Sequence, residues 1–331
     1  FNNRIAFGFD YYHKKTKDLL LSVPFLMHSG YDRGMQNIGD MENTGYEFTL
    51  NMLPLNSSKF TWSSDFMIGF NKNKVTNLSG ATENLSGEEI LGKKYWTSIT
   101  VGKPIGTLYG YKTDGIIQLG EDLSKVASFA GETLQAGDRK YINKDGSGTL
   151  TEADLFELGN ANPDFTYGFT NTFRYDLSDN SSLSLSVFLQ GAHGNEIVNF
   201  NKFALESFDG TRNNSNVALK RWTVDNPTND YPRATMKTRQ TIISDHVVED
   251  GSYLRLKNIT LGYDLPRKLS KKLFTESISF YVSLQNIYTF TDYSGYDPEV
   301  SRFANNNLSM GADYGAYPMA KSYEFGARVT F

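Results

Sequence analysis

The chain has 331 residues and a formal net charge of −4, from 33 Lys and Arg against 37 Asp and Glu. It therefore carries no basic footprint for a phosphate backbone, and nucleic acid is set aside as a partner. The absence of cysteine removes disulfides, thiol nucleophiles and Cys-ligated zinc or iron–sulfur sites together. The histidines stand at 13, 28, 193 and 246, never at the i, i+4 spacing with an intervening carboxylate that zinc hydrolysis uses. No apolar run approaches the roughly 20 residues of a membrane helix. A mean hydropathy of −0.44 does not separate a soluble protein from a membrane barrel, because in a barrel each lipid-facing residue is followed by one facing the lumen.

The first residues already alternate: Ile5, Phe7, Phe9 and Tyr11 against Arg4, Ala6, Gly8 and Asp10. With no initiator Met and no leader pattern, the chain reads as a mature or cut segment of something longer. Seven further stretches alternate with period two, the signature of half-exposed strands. The apolar sets, in order, are Tyr46–Met52, Phe60–Phe70, Phe165–Tyr175, Leu183–Leu189, Ile259–Leu265, Ile278–Leu284 and Tyr323–Phe331. Their opposite faces are Ser, Thr, Gly and Asn with scattered charges.

Short polar turns are expected around Asn56-Ser57-Ser58 and Asp179-Asn180, with a longer one from Pro266 to Glu276. The remaining connections, about 18–42, 76–161, 191–250 and 290–321, are long. Short turns at one end and long loops at the other fit an outer-membrane barrel better than a sandwich. A further strand-like piece, 104–118, would upset the parity of the crossings, so it belongs with an extracellular loop subdomain over 76–161. Asn195–Phe208 has loose helical spacing and reads as a short packed loop helix.

Residues 143–154 match a calcium loop, with oxygen donors at Asn143, Asp145, Ser147, the Thr149 carbonyl, Thr151 and Asp154, and Gly148 at the sharp turn. The ligand charge is low for such a loop. The stretch Glu324–Phe331, through Gly326, Val329 and Phe331, has the form of a terminal aromatic strand that serves as an outer-membrane insertion signal. Aromatics in the long loops, Tyr95, Trp96, Trp222, Tyr231, Tyr314 and Tyr317, are candidates to stack on the apolar faces of sugar rings. No G-x-S-x-G, P-loop or G-x-G-x-x-G is present, and acidic pairs such as Glu88-Glu89 fall in solvated loops, so no enzyme is expected.

Several segments together carry a family resemblance: Tyr11–Leu20, Asn37–Glu47, Gly137–Tyr141 leading into the calcium-like loop, Gly159–Gly168, Gly251–Tyr263, Gln285-Asn286 and Tyr293–Glu299. Over nearly its whole length the chain resembles the SusC/RagA-type TonB-dependent outer-membrane transporters. The resemblance implies a 22-strand transmembrane antiparallel β-barrel, of which this chain would hold the C-terminal eight strands. It also implies an N-terminal plug, a SusD-like surface lipoprotein as lid, and TonB-driven import of oligosaccharides, or peptides in some members, across the outer membrane. Plug and TonB box lie outside this sequence. The alternatives are a self-contained eight-strand outer-membrane barrel acting as adhesin or structural protein, and a secreted all-β carbohydrate-binding protein.

Overall fold

The computed structural model describes residues 3–24, 28, 30–31, 33–78, 84–93, 95–178, 180–236, 242–299, 301–303, 306 and 309–331. Eight strands form its main sheet: β1 (Ile5–Pro24), β2 (Arg33–Asn56), β3 (Phe60–Leu78), β4 (Phe165–Asp176), β5 (Ser182–His193), β6 (Tyr253–Asp264), β7 (Ser277–Thr291) and β8 (Ser322–Thr330). They pair antiparallel in chain order, an up-and-down meander with β1 and β8 at its two edges. The all-β antiparallel reading is thus borne out. Among the described residues β1 and β8 do not pair, so these strands do not close on themselves as a barrel of eight would.

The register sorts the side chains into two faces. One cross-strand row runs Leu55, Trp62, Phe173, Leu185, Leu261, Val282, Phe325. The adjacent row, one residue along, runs Ser63, Thr172, Ser186, Thr260, Ser283, Glu324 and points to the other side. Its hydroxyls bond across strands, Thr172 to Ser186 at 3.3 Å and Thr260 to Ser283 at 3.1 Å. On the apolar face, rings meet across strands: Phe9 with Phe48 at 4.9 Å, Trp62 with Phe173 at 5.8 Å and Phe66 with Phe169 at 6.2 Å. This face is not a dry interior. Phe7 is 65% exposed, Phe280 46% and Phe325 77%, and Phe169 is half-buried between its neighbours.

The dry cores lie in the long loops and against the loop-side end of β3. One gathers Ile90, Trp96, Leu108, Val198, Phe200, Phe203, Ile243, Val247 and Ala312; a second joins Val75 and Leu78 to Leu85, Ile99 and Ile105. Residues 76–161 therefore share their packing with the connections before β6 and β8. Within that region the strand-like piece 104–118 forms two short strands, Thr107–Gly110 and Thr113–Ile116. They pair with Phe156–Asn160 and Arg139–Tyr141, outside the main sheet. The helix expected over Asn195–Phe208 spans only Phe200–Leu205, and Ile197 belongs to a preceding strand, Glu196–Asn199.

The connection expected over 18–42 needs correction. Most of it is ladder, since β1 and β2 stay paired as far as Pro24 and Arg33. Hairpin hydrogen bonding continues there without an alternating pattern to reveal it. Strands of 20 and 24 residues exceed the roughly 9–11 needed to cross a bilayer, so the surplus projects on the long-loop side. There Leu21, Ile38 and Met41 pack against the second core. Of the turn expected at Asp179-Asn180, Asp179 lies outside the described residues.

These two faces make opposite predictions. Leu261→Arg, in the middle of the apolar row, should destabilise the protein assembled in a bilayer by about 2–4 kcal/mol. Thr260→Arg, one residue away on the hydroxyl face, should cost less than about 1 kcal/mol. Denaturant unfolding from lipid vesicles measures both, and equal costs would contradict the assignment of faces.

Candidate functional site

The hydroxyl face bends around a concavity of about 620 Å³ whose lining includes Glu47, Thr49, Met67, Thr166, Phe188 and Gln190. Tyr253, at the loop-side start of β6, borders the same space. Beside it the guanidinium of Arg255 lies 5.4 Å from the Tyr253 ring centre. Arg255 is 1% exposed, yet each of its nitrogens has an acceptor. Nε donates to Thr289 Oγ1 at 2.9 Å, one terminal nitrogen to Glu299 Oε2 at 2.6 Å, and the other to Asp297 Oδ1 at 2.5 Å. Gln190, directly across the ladder from Arg255, donates to the second oxygen of Glu299 at 3.2 Å.

This cluster is a latch. Arg255, Gln190 and Thr289 stand on three neighbouring strands, whereas Asp297 and Glu299 come from the connection before β8. The second oxygen of Asp297 accepts the Met319 amide at 2.9 Å, so the carboxylate also ties the two ends of that connection together. Burial pushes the Asp297 carboxyl up, but the Glu299 and Met319 amides and the Arg255 guanidinium outweigh it and hold it below the usual carboxylate range. Two further contacts fix the loop layer, the first buried and the second half-buried. Tyr293 donates to Asp313 at 2.7 Å, and burial followed by that bond drives its phenol far above the ordinary value. Lys202 pairs with Glu249 at 3.2 Å, and Glu249 also accepts from the Ser294 hydroxyl at 2.9 Å.

The calcium-like loop is closed on its own hydrogen bonds. Asn143 Oδ1 accepts the Gly148 amide at 3.0 Å, and exposed Asp145 accepts the Ser147 amide at 2.9 Å, which holds its carboxyl low. Ser147 Oγ donates to the Thr149 carbonyl at 3.0 Å. Asp154 is fully buried and accepts the Lys144 and Thr151 amides at 2.7 and 2.8 Å. Thr151 caps the short helical turn that carries Asp154. Among the described residues no three acidic or histidine side chains gather at one point, so a cation here would depend on Asp145, Asp154 and neutral oxygens.

The six candidate stacking aromatics do not form one surface. Trp96 is buried against Phe200 with its indole N–H on the Glu88 carbonyl at 2.7 Å. Trp222 is buried with its N–H on Gln118 at 3.0 Å. Both are structural, because an interior indole offers no face to a sugar. Tyr314 packs on the core around Trp96, beneath the guanidinium of Arg302. Tyr231 is half-buried against Phe208. Only Tyr95 and Tyr317 are exposed, Tyr317 at 87%. At the other end of the sequence Val329 pairs with Ile278, Gly326 faces Tyr281, and Phe331 is exposed. A Cβ at 326 would come within 2.2 Å of the Tyr281 ring, so that ring lies on the backbone where only Gly leaves room.

No family model matches the chain. It is 36% identical over 338 residues to TonB-dependent receptor P3 of Formosa agariphila, and 26% identical over 343 residues to TonB-dependent receptor SusC of Bacteroides thetaiotaomicron. In each case the whole chain aligns, to 33% and 30% of the relative, so it spans about a third of their length. Among solved structures, that of the RagAB peptide transporter shares the fold at a TM-score of 0.79 and 23% identity, covering all of this chain and 34% of that one.

Arg255→Met should leave Asp297 buried without its cation and loosen the 292–321 connection by about 3–5 kcal/mol. Adding Asp297→Leu should recover part of that loss, since the uncompensated charge goes with it. Hydrogen exchange of the 292–321 amides in the assembled protein reads both. Because the Asp297 carboxyl sits below its unfolded value of about 3.9, its contribution is complete above that value. It is lost only as the pH falls through the depressed folded value, so protection should persist at about pH 5.

Proposed function

The chain belongs to the SusC/RagA-type TonB-dependent receptors, and on that premise we propose that it forms part of the wall and the outer loops of an outer-membrane import barrel. Its cargo is an oligosaccharide, or a peptide in the alternative, driven inward by TonB and captured beneath a SusD-like surface lipoprotein. The observation that carries this reading is the two-faced open sheet, with an exposed apolar row backed by a hydroxyl row. In hydrocarbon the apolar row needs no partner, while Ser, Thr and Asn on the other side are at home in a wet lumen. Open edges support a wider barrel, because each unpaired backbone group in lipid costs several kcal/mol. The P3 and SusC relatives bear receptor names and RagAB is a peptide transporter.

The loop layer is where cargo choice would reside. Of the six candidate aromatics, exposed Tyr95 and Tyr317 are the ones free to stack on a sugar ring, which favours a glycan over a peptide in this reading. The lumen concavity bordered by Gln190 and Glu47 offers hydrogen bonds to either. Calcium is the ligand assigned to 143–154, with Asn143, Asp145, Ser147, Thr149, Thr151 and Asp154 as its oxygens. With two carboxylates the affinity should be at the weak, roughly millimolar end of such loops.

Two measurements test these assignments. Single cysteines in the full-length receptor at Phe7, Leu261 and Phe325 should resist a water-soluble maleimide in lipid nanodiscs, while those at Thr49, Ser186 and Thr260 should react. The reverse pattern would refute the barrel-wall reading. Calcium at a few millimolar should slow proteolysis within 143–154, and Asp145→Ala should abolish the effect; unchanged cleavage with calcium present would leave the segment a self-bonded turn.

A further inference from the structure

The three turns at the short-loop end of the sheet are not alike. Ser57–Lys59 and Leu177–Ser181 are short, with Leu177 their one large apolar side chain, whereas the connection from β6 to β7 contains a helical turn, Arg267–Lys272, with Arg267, Lys268, Lys271 and Lys272 against a single acid, Glu276. All four cations are exposed, and among the described residues no carboxylate pairs with Arg267, Lys271 or Lys272. Large apolar side chains stand beside them. Leu269 is 46% exposed, Leu273 58% and Phe274 93%, the first two at the i, i+4 spacing that puts them on one side of the turn.

This arrangement is held in place. Ser270 is buried, and its carbonyl accepts both the amide and the hydroxyl of Thr275, at 3.1 and 2.9 Å. Leu265 N–H donates to Ile278 at 2.9 Å, and Glu276 N–H donates to Thr330 at the end of β8 at 2.7 Å. Phe274 sits at φ +58°, a left-handed conformation that a bulky residue rarely adopts, with its ring out in solvent. The turn leads directly out of the apolar row, since Tyr263 at the end of β6 pairs with Leu183 on one side and with Phe280 near the start of β7 on the other.

Resting on the barrel-wall reading above, we propose that this turn is a docking surface for the anionic phosphate headgroups of the membrane leaflet at the short-turn end. Leu269, Leu273 and Phe274 enter the boundary between headgroups and acyl chains, and the four cations lie in the headgroup plane. Charge complementarity and continuity with the lipid-facing wall select the occupant. A purely apolar turn would serve any lipid, and a basic turn remote from the wall would serve any soluble anion. Together they fit a phospholipid. The chain as a whole is acidic, so the positive end is local to this turn.

The full-length receptor, delipidated in detergent, provides the test, with phosphatidylglycerol and phosphatidylcholine as probes read by native mass spectrometry. Wild type should retain phosphatidylglycerol over phosphatidylcholine by roughly tenfold at low salt, and the preference should shrink as salt is raised. The combined variant R267Q, K268Q, K271Q, K272Q should bind the two lipids equally. L273S with F274S should weaken both lipids alike while keeping the preference. A wild type without preference, a charge variant that keeps it, or displacement of phosphatidylglycerol by an equal concentration of inorganic phosphate would overturn the proposal. Maleimide protection of single cysteines introduced at Leu261 and Phe325 is measured in parallel, in the otherwise unchanged receptor and in the charge variant. If it persists when the lipid preference fails, only the docking surface falls; if it is lost as well, the barrel-wall reading fails first.

Discussion

Cross-strand register is the constraint from which the rest of this molecule follows. Side chains alternate with period two, so a slip of one residue between any two strands would carry a whole apolar set to the wrong side. From Leu55 to Phe325 the pairing keeps one apolar row intact across seven strands. Where the chain's own parity changes, the ladder shifts with it. Between Leu256 and Asn258 the pairing skips Lys257, which brings Leu254 and Leu256 onto the same face as Ile259 and Leu261, opposite Gly191 and Leu189. That shift also sets the opposite face near the loops, because it leaves Arg255 aligned with Gln190 and Thr289 on the hydroxyl side.

On the barrel-wall reading one face of the sheet lies in hydrocarbon and has no need of a packed interior, and among the described residues the buried apolar clusters lie elsewhere. The buried clusters sit at the long-loop end, where the long connections pack together and against the loop-side parts of β1, β2 and β3. The division of labour is physical. The wall is held by ladders and by avoidance of unsatisfied backbone groups in lipid, and the loops, which face water, are held by apolar burial and by buried ion pairs. Substitution in a loop core therefore need not disturb the wall, provided that the anchoring contacts survive.

How legible this was from the amino-acid sequence differs by element. All eight strands announce themselves by alternation, and the difference in connection length fixes which end carries the loops. The far half of the β1–β2 hairpin was hidden, because beyond His13 the sequence runs Lys14-Lys15-Thr16-Lys17-Asp18 and then Leu19-Leu20-Leu21, with no apolar–polar alternation. The start of β6 was hidden by its register shift, which breaks a period-two count at Lys257. Trp96 and Trp222 looked like ligand-facing aromatics only because a sequence does not distinguish a loop with its own core from a solvated one. The segments Gly251–Tyr263 and Tyr293–Glu299 stood out individually, but nothing in either indicated that Arg255 of one would meet Asp297 and Glu299 of the other. That meeting depends on folding and leaves no local periodicity.

The latch is thus the joint between the two regimes. Arg255 belongs to the wall, shielded by the Tyr253 ring and the neighbouring strands; Asp297 and Glu299 belong to the loops. A buried ion pair is not in itself a strong source of stability, since desolvation offsets most of its Coulomb attraction. Its value lies in selectivity. An apolar contact would hold the connection in many orientations, whereas a guanidinium fork with three directed acceptors fixes one. With the second oxygen of Asp297 on the Met319 amide, one residue sets both where the final connection leaves the wall and where it returns. The position of exposed Tyr317, two residues before that return, follows from a charge buried at the top of β6.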